Sequence, residues 1–577
     1  MKRHLKWIAI ALILCMVFTV SACGDTADTV TGNVAEGEAG SDATVIEPAK
    51  ESEMFTNRDA ETTYDESDVI TLVLQDDGTQ STDERVNVNG NTVTLTGAGT
   101  YLVSGTLANG QLIINGGDAD KIHLIFRNVS IHFDGSAAIY VQNAAKVFLT
   151  LEENTVNVLE SSGAYTTNTN ETANIDAVLY AKKDVTINGS GELTVTSEYG
   201  HGLAVKADLV MMDGIFKVTG AKHAISAKNS IRIKNGTYTL SSGTDALHAE
   251  NTVDASRGFI YIANGTFDIN ATSDGMDAAS TLQIIDGSIT VKAGGKGIKA
   301  TGDLLIAGGT MDISATDDAV HTNSNCSVTD GTLKLSTSDD GIHADANLSV
   351  SGGKITITES YEGLEGISVD IIGGTIDITA SDDGVNAAGG NDSSGMQPGF
   401  PGGRQDTFSA DSNCYIQISG GEMHVNASGD GLDSNGSITV TGGVTFVSGS
   451  TGGGDAALDY DGTGTITGGV IVLCGNSGMA QNFGSSSTQG SILVNYNSSS
   501  TATVTLSDSD GNTIVTYNPP KTYNSVVISA PALTKGNTYS LTACGQTQSI
   551  TLSSLIYGSG GMGGGTTQPG GRPGGRP

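Results

Sequence analysis

The sequence predicts an all-β protein: a three-sided right-handed parallel β-helix with coils of about 22 residues and a small C-terminal β-cap. Three observations carry this reading. A unit of an acid, then Gly or Ala, then an aliphatic residue recurs at Asp274, Asp318, Asp340, Glu362, Asp383 and Asp430. His201, His223, Asp245 and Lys296 hold the same place, and the steps 201–223–245 and 274–296–318–340–362 are each 22. Within one unit, Ile342, Ala344, Leu348, Val350, Ile355 and Ile357 form three short runs of period two, the pattern of strands with one face inward. A turn pair such as Gly352-Gly353, Asp286-Gly287 or Gly373-Gly374 divides the second run from the third, where glycine supplies a positive φ. Three short strands cannot bury a face alone, but stacked coils can. A leucine-rich repeat shares the period but needs a Leu-rich motif and helical backs, and neither is present. Some eleven coils at a spacing of about 4.8 Å would span roughly 50 Å.

The remaining elements follow in chain order. Met1-Lys2-Arg3-His4-Leu5-Lys6 precedes an uncharged run from Trp7 to Val20, the pattern of a secretory signal over residues 1–22. That run is too short to span a membrane comfortably. It ends in Val20-Ser21-Ala22-Cys23, which resembles a bacterial lipobox and implies lipidation of Cys23. Residues 23–65 read as an acidic linker and 66–475 as the helix, with looser register up to about Gly200 and a Gly/Pro-rich insertion over 391–408. The 22-residue period then stops; 476–557 reads as the cap and 558–577 as a Gly/Pro-rich disordered tail.

The formal charge is −35, and loss of Lys2, Arg3 and Lys6 with the leader makes it −38. Such a surface repels nucleic acid and anionic lipid and attracts cations. Contact with a membrane is therefore expected through the lipid only. Cys326, Cys414, Cys474 and Cys544 lack metal-like spacing, and Cys326 falls on a core position.

The acids gather at one edge of each coil. Asp317-Asp318, Asp339-Asp340 and Asp382-Asp383 are doublets in one corner. Three residues past each corner stand His248, Asp277, Lys299, His321, His343, Glu365, Asn386 and Asp433, which alternation points outward. Like charges at that spacing repel by about 3 kcal/mol at an effective dielectric near 20. Along most of the stack the sequence shows no fixed positive charge to offset this. Bound calcium would, since it takes six to eight oxygens in flexible geometry. The expected ligands are Asp317, Asp318, Asp339, Asp340, Asp382 and Asp383, with Asp274/Asp277, Glu362/Glu365 and Asp430/Asp433 as second choices.

The repeat, the lipobox, the Asp-Asp-Gly corners and the Gly/Pro-rich insert together resemble a family of bacterial, often clostridial, surface proteins. That family is described as calcium-dependent carbohydrate-binding β-helices acting on pectic polymers and cellulose. The resemblance implies a lipid-anchored protein on the extracellular face, with calcium on the doublet carboxylates. It puts metal sites in doubt at Lys296, His201 and His223, where the acidic pattern breaks. The only tryptophan, Trp7, lies in the leader and no aromatic ladder follows the repeat, so an acidic polysaccharide such as polygalacturonate is favoured over cellulose. Lys296, Lys299, His321 and His343 are candidate sugar contacts. No catalytic residue is assigned. One rival is a pectate-lyase-like enzyme, related in architecture, with Lys296 or Lys299 as base; another is a structural surface adhesin.

Overall fold

The computed structural model describes residues 28–31, 44–76, 78–81, 83–135, 137–163, 175–388 and 411–558. The proposed signal, Cys23, the 391–408 insertion and nearly all of the tail lie outside these residues. Among the described residues the structure is almost entirely β, with one four-residue helical turn, Glu51–Met54.

The coil that begins at Lys296 shows how the repeat folds. Its strands are Ile298–Ala300, Leu304–Ile306 and Thr310–Ser314. Each pairs in parallel with its counterpart one coil on, putting Ile298 beside Val320, Leu304 beside Cys326 and Met311 beside Leu333. Three such ladders run the length of the solenoid. Alternation buries one side-chain set, and one continuous core extends from Ile70 to Val527. Ile342, Leu348, Val350 and Ile355 are fully buried in it, with Ile357 nearly so. Between the second and third strands Gly353 and Gly374 adopt φ of +82° and +88°, conformations that a side chain would strain. Cys326 is a buried free thiol.

The solenoid has about 15 turns, four more than the repeat count suggests. At a spacing of about 4.8 Å that is roughly 70 Å. The extra turns come from the loose-register region: Lys121–His132 pairs in parallel with Lys146–Leu151, which pairs with Val185–Gly189. Bulges there, as between Ser104 and Gly105, break the spacing without breaking the stack.

Past Gly475 the pairing turns mainly antiparallel. Val470–Gly475 pairs with Tyr523–Ser529, and that strand with Ser491–Ser500. A separate five-stranded sheet holds Val504–Ser507, Thr513–Tyr517, Thr538–Ala543 and Gln546–Thr551, with Thr29–Val30 on its edge. This sheet packs on the flank of the last coils, where the Tyr517 and Phe446 rings stack with centroids 5.0 Å apart.

Residues 44–65, which composition assigns to a linker, instead form a strap along the outside of the middle ladder. Ile46 N–H donates to Ser327 Oγ at 3.0 Å and Ala49 N–H to Gln283 Oε1 at 2.9 Å. Phe55 packs on Tyr261, Val210 and Met212. Asp59 is buried and accepts from Lys146 Nζ and Thr186 Oγ1, both at 2.6 Å. The strap thus runs antiparallel to the coil progression, ending where Tyr64 meets Glu152. Polar composition hid this, because the contacts are hydrogen bonds to outward Ser, Thr and Gln side chains. Asp59→Ala leaves Lys146 without that buried partner and should cost about 3 kcal/mol locally. Hydrogen exchange should speed up across 44–65 and stay slow in the coils; unchanged protection in the strap would show that other contacts hold it.

Candidate functional site

The corner carboxylates form a ladder as expected, but most of it is buried. Asp318, Asp340 and His343 are fully shielded; Glu362, His321, Glu365 and Asn386 are at most 6% exposed. Of the residues three past the corner, which the sequence points outward, His321, His343, Glu365 and Asn386 are nevertheless buried. Alternation does turn them away from the core. Each is then covered by its equivalents one coil above and below and by the corner that folds over it. The doublets also split: Asp340 and Asp318 turn in, while the Asp317 side chain stays 43% exposed and Asp339 half-buried.

The expectation of an un-neutralised stack is corrected. Lys296 Nζ lies 2.7 Å from Asp317 and 2.5 Å from Asp318. Asp318 also holds His321 Nδ1 at 2.7 Å. Burial pushes the Asp318 carboxyl up, but His321 and Lys296 outweigh it and hold it at about 2. His343 Nδ1 sits 3.1 Å from Asp340 and 2.5 Å from Glu365, and its Nε2 is 3.1 Å from Asp345. Burial opposes protonation of His343, yet Asp340, Glu365 and Asp318 raise it to about 11. His343 is thus a fixed cation at neutral pH. Lys299 reaches Asp274 and Asp277, each at 3.4 Å. His248 lies between Asp245 and Asp277 at 3.3 and 3.1 Å, which outweigh its burial and raise it to about 9. Its ring stacks on His223 at 4.2 Å between centroids and His223 on His201 at 4.9 Å, so the breaks in the acidic pattern form a stack of their own. A single sequence showed these bases but not which carboxylates they reach.

Among the described residues, acidity still exceeds base in two places. Burial first, then Glu365, keeps Asp340 up at about 8; burial and the charges of Glu365 and Asp340 keep Glu362 up at about 10. Burial and the neighbouring acids thus favour the protonated form of both carboxyls. The second place is one coil further on. Asp383, Asp430 and Asp433 bring carboxylate oxygens within 4.8 Å of one another, all three half-buried. Asp383 Oδ1 accepts the Asp430 N–H at 2.6 Å, and Asp430 Oδ1 accepts the Ala456 N–H. Burial, with Asp383, Asp433 and Asp459 nearby, pushes Asp430 up to about 9.

Asn386 joins these two places; as a neutral amide in a column of acids, it was not among the expected metal ligands. It lies in register between Glu365 and Asp433. Its Nδ2 donates to Glu362 Oε2 at 2.6 Å, while its buried Oδ1 has no hydrogen-bond partner among the described residues. A buried amide oxygen left unpaired costs about 1–3 kcal/mol. Three carboxylates with a neutral oxygen in the next rung suit a hard divalent cation such as calcium, which takes only oxygen ligands. Asp317, Asp318 and Asp339 also converge within 4.8 Å, but Lys296 already occupies two of them.

Residues 89–341 match a family model described as carbohydrate-binding domain-containing protein. A relative of that description from Acetivibrio thermocellus is 31% identical over 129 residues, 22% of this chain and 45% of that protein. The chain thus spans less than half the length of that curated relative. A solved structure described as the polysaccharide lyase-like protein from C. thermocellum, gadolinium derivative, is 29% identical, covering 41% of this chain and 96% of that one at a TM-score of 0.40.

Proposed function

We propose that this chain is a cell-surface polysaccharide-binding protein, anchored by a lipid on Cys23, that holds an acidic polymer through calcium at Asp383, Asp430 and Asp433. The family match over 89–341 supports the carbohydrate part of the reading. The observation that carries the metal part is the half-buried carboxylate trio beside the unpaired Asn386 oxygen. These groups would hold calcium, and a uronate carboxylate of the polymer would complete its oxygen shell. A proton on Asp430 substitutes for the cation when calcium is absent.

The first-choice ligands are thereby reordered. Asp317, Asp318 and Asp340 are engaged by Lys296 and His343, so Asp383 with Asp430 and Asp433 becomes the leading site. The same ion pairs argue against a lyase: opposed by burial but outweighed by their carboxylates, Lys296 and Lys299 are raised above the ordinary lysine value and hold their protons. They are poor bases, and Lys296 is not free to clamp a sugar.

Calorimetric titration should show calcium binding that Asp430→Asn weakens by tenfold or more, about 1.4 kcal/mol or above. Calcium at 100 times its dissociation constant should stabilise the wild type by about 2.7 kcal/mol. Polygalacturonate should be retained with calcium, released by chelator and left uncut, with no rise in ultraviolet absorbance. Retention unchanged by chelator would overturn the calcium bridge; unsaturated products lost in Lys296→Ala would overturn the binder.

A further inference from the structure

We infer that the lipid bilayer meets this protein at its C-terminal end, beyond the last coils, so that the N-terminal coils project outward. The inference rests on the lipid-anchor reading of Cys23 given above. Its basis is where the described chain begins in space. Asp28 Oδ1 accepts the backbone N–H and the side-chain Nδ2 of Asn518, at 2.7 and 2.9 Å. Thr29–Val30 then pairs antiparallel with Thr516 and Val515, and Thr31 N–H donates to Ile514 O at 3.0 Å. The strand Thr513–Tyr517 is in turn fixed to the last coils by the Tyr517–Phe446 stack, and Lys521 Nζ donates to Ala427 O.

Cys23 and Asp28 are five Cα–Cα steps apart, a reach of at most about 18 Å. The solenoid is roughly 70 Å long at its strand spacing. A lipid at Cys23 therefore reaches the final coils and not the first ones. The chain re-enters at Thr44 beside Ser327 and only then runs back along the strap to open the first coil. Without the strap, a chain numbered from its N-terminus would place coil one next to the membrane; the strap reverses that polarity.

Charge points the same way. Residues 491–557 carry two acids, Asp508 and Asp510, and two lysines, Lys521 and Lys535, so this end is formally neutral while the whole chain carries −35. An anionic leaflet repels the acidic coils and tolerates the neutral end. The Asp383/Asp430/Asp433 site then lies near the membrane-facing end, and the rest of the corner ladder runs outward from it.

The test uses the chain from Cys23 onward, which keeps every described residue, coupled through the Cys23 thiol to maleimide-lipid in phosphatidylglycerol/phosphatidylethanolamine vesicles. The four other cysteines are buried. A donor dye is placed through an unnatural amino acid at exposed Thr522 or at exposed Asp118, with acceptor dye on the lipid headgroups. Transfer from position 522 should be several-fold stronger than from 118. Equal transfer, or stronger transfer from 118, overturns the proposal. Thr31→Pro removes the Thr31 N–H and should lower the 522 signal while the protein stays on the vesicles; no change would show that this strand does not set the polarity. The lipid reading is judged apart, by whether Cys23→Ala releases the protein from the membrane fraction of cells, because the chemical tether works in either case.

Discussion

Ile355→Asp should cost about 5 kcal/mol and melt the solenoid at that coil. Ile355 is fully buried between Leu333 below and Ile376 above. The substitution removes a packed aliphatic side chain and places a carboxyl where no donor is within the stack. Each coil contacts mainly its neighbours, so the loss propagates by one interface at a time and splits the melting transition. Calorimetry should show an early transition, and limited proteolysis should cut near the altered coil. Thr332→Asp on the exposed face of the adjacent coil is the control and should stay within about 0.5 kcal/mol of wild type. A melting curve unchanged by Ile355→Asp would mean that this side chain does not face the core.

The second large effect concerns His343. Its imidazolium faces Asp340, Glu365 and Asp345, and its own side chain is fully buried. His343→Leu keeps the volume but leaves those carboxylates without their cation, and should cost about 3–5 kcal/mol. Wild-type stability should also depend on pH in a defined direction. His343 is raised from 6.5 to about 11 on folding, so its contribution is complete below 6.5 and is lost as pH rises toward 11. Asp340 and Glu362 are raised from 3.8 to about 8 and from 4.5 to about 10. The folded state holds these protons where the unfolded chain has released them, so stability again falls as pH rises through that window. Asp318 acts oppositely: it is lowered to about 2 and its contribution disappears as pH falls from 3.8 toward 2. From these four groups stability should therefore be greatest near pH 4, fall above about pH 4.5 through Asp340 and Glu362, and fall more steeply above 6.5 as His343 adds to the loss. In His343→Leu the imidazole part of the alkaline loss should vanish. Denaturant titrations from pH 4 to 10 measure this, and a maximum above pH 8 would contradict the assignment.

The coil could be read from the sequence because a parallel stack repeats its local chemistry. A period of 22, apolar residues at alternate positions and a positive-φ glycine recur in every turn, so Ile342, Leu348 and Ile355 could be placed before any coordinates. Where bulges shift the register, as at Ser104/Gly105, the spacing blurs and turns go uncounted. The acid corner was legible as a column for the same reason. Its depth was not, since alternation says which way a side chain points and not what lies over it.

Sequence by itself determined the β-solenoid, its inward residues and the column of acids, all consequences of periodicity within one coil. Tertiary structure alone decided the charge balance of that column. Lys296 reaches forward across a full coil to Asp318, His343 is shared by carboxylates of two coils, and Asp383 meets Asp430 only because a 47-residue step closes into one rung. It alone decided the course of the strap as well, where Asp59 finds Lys146 across 87 residues. Coulomb and hydrogen-bond energies depend on distance in space, and in a solenoid that distance is set by stacking, which the order of residues along one coil does not state.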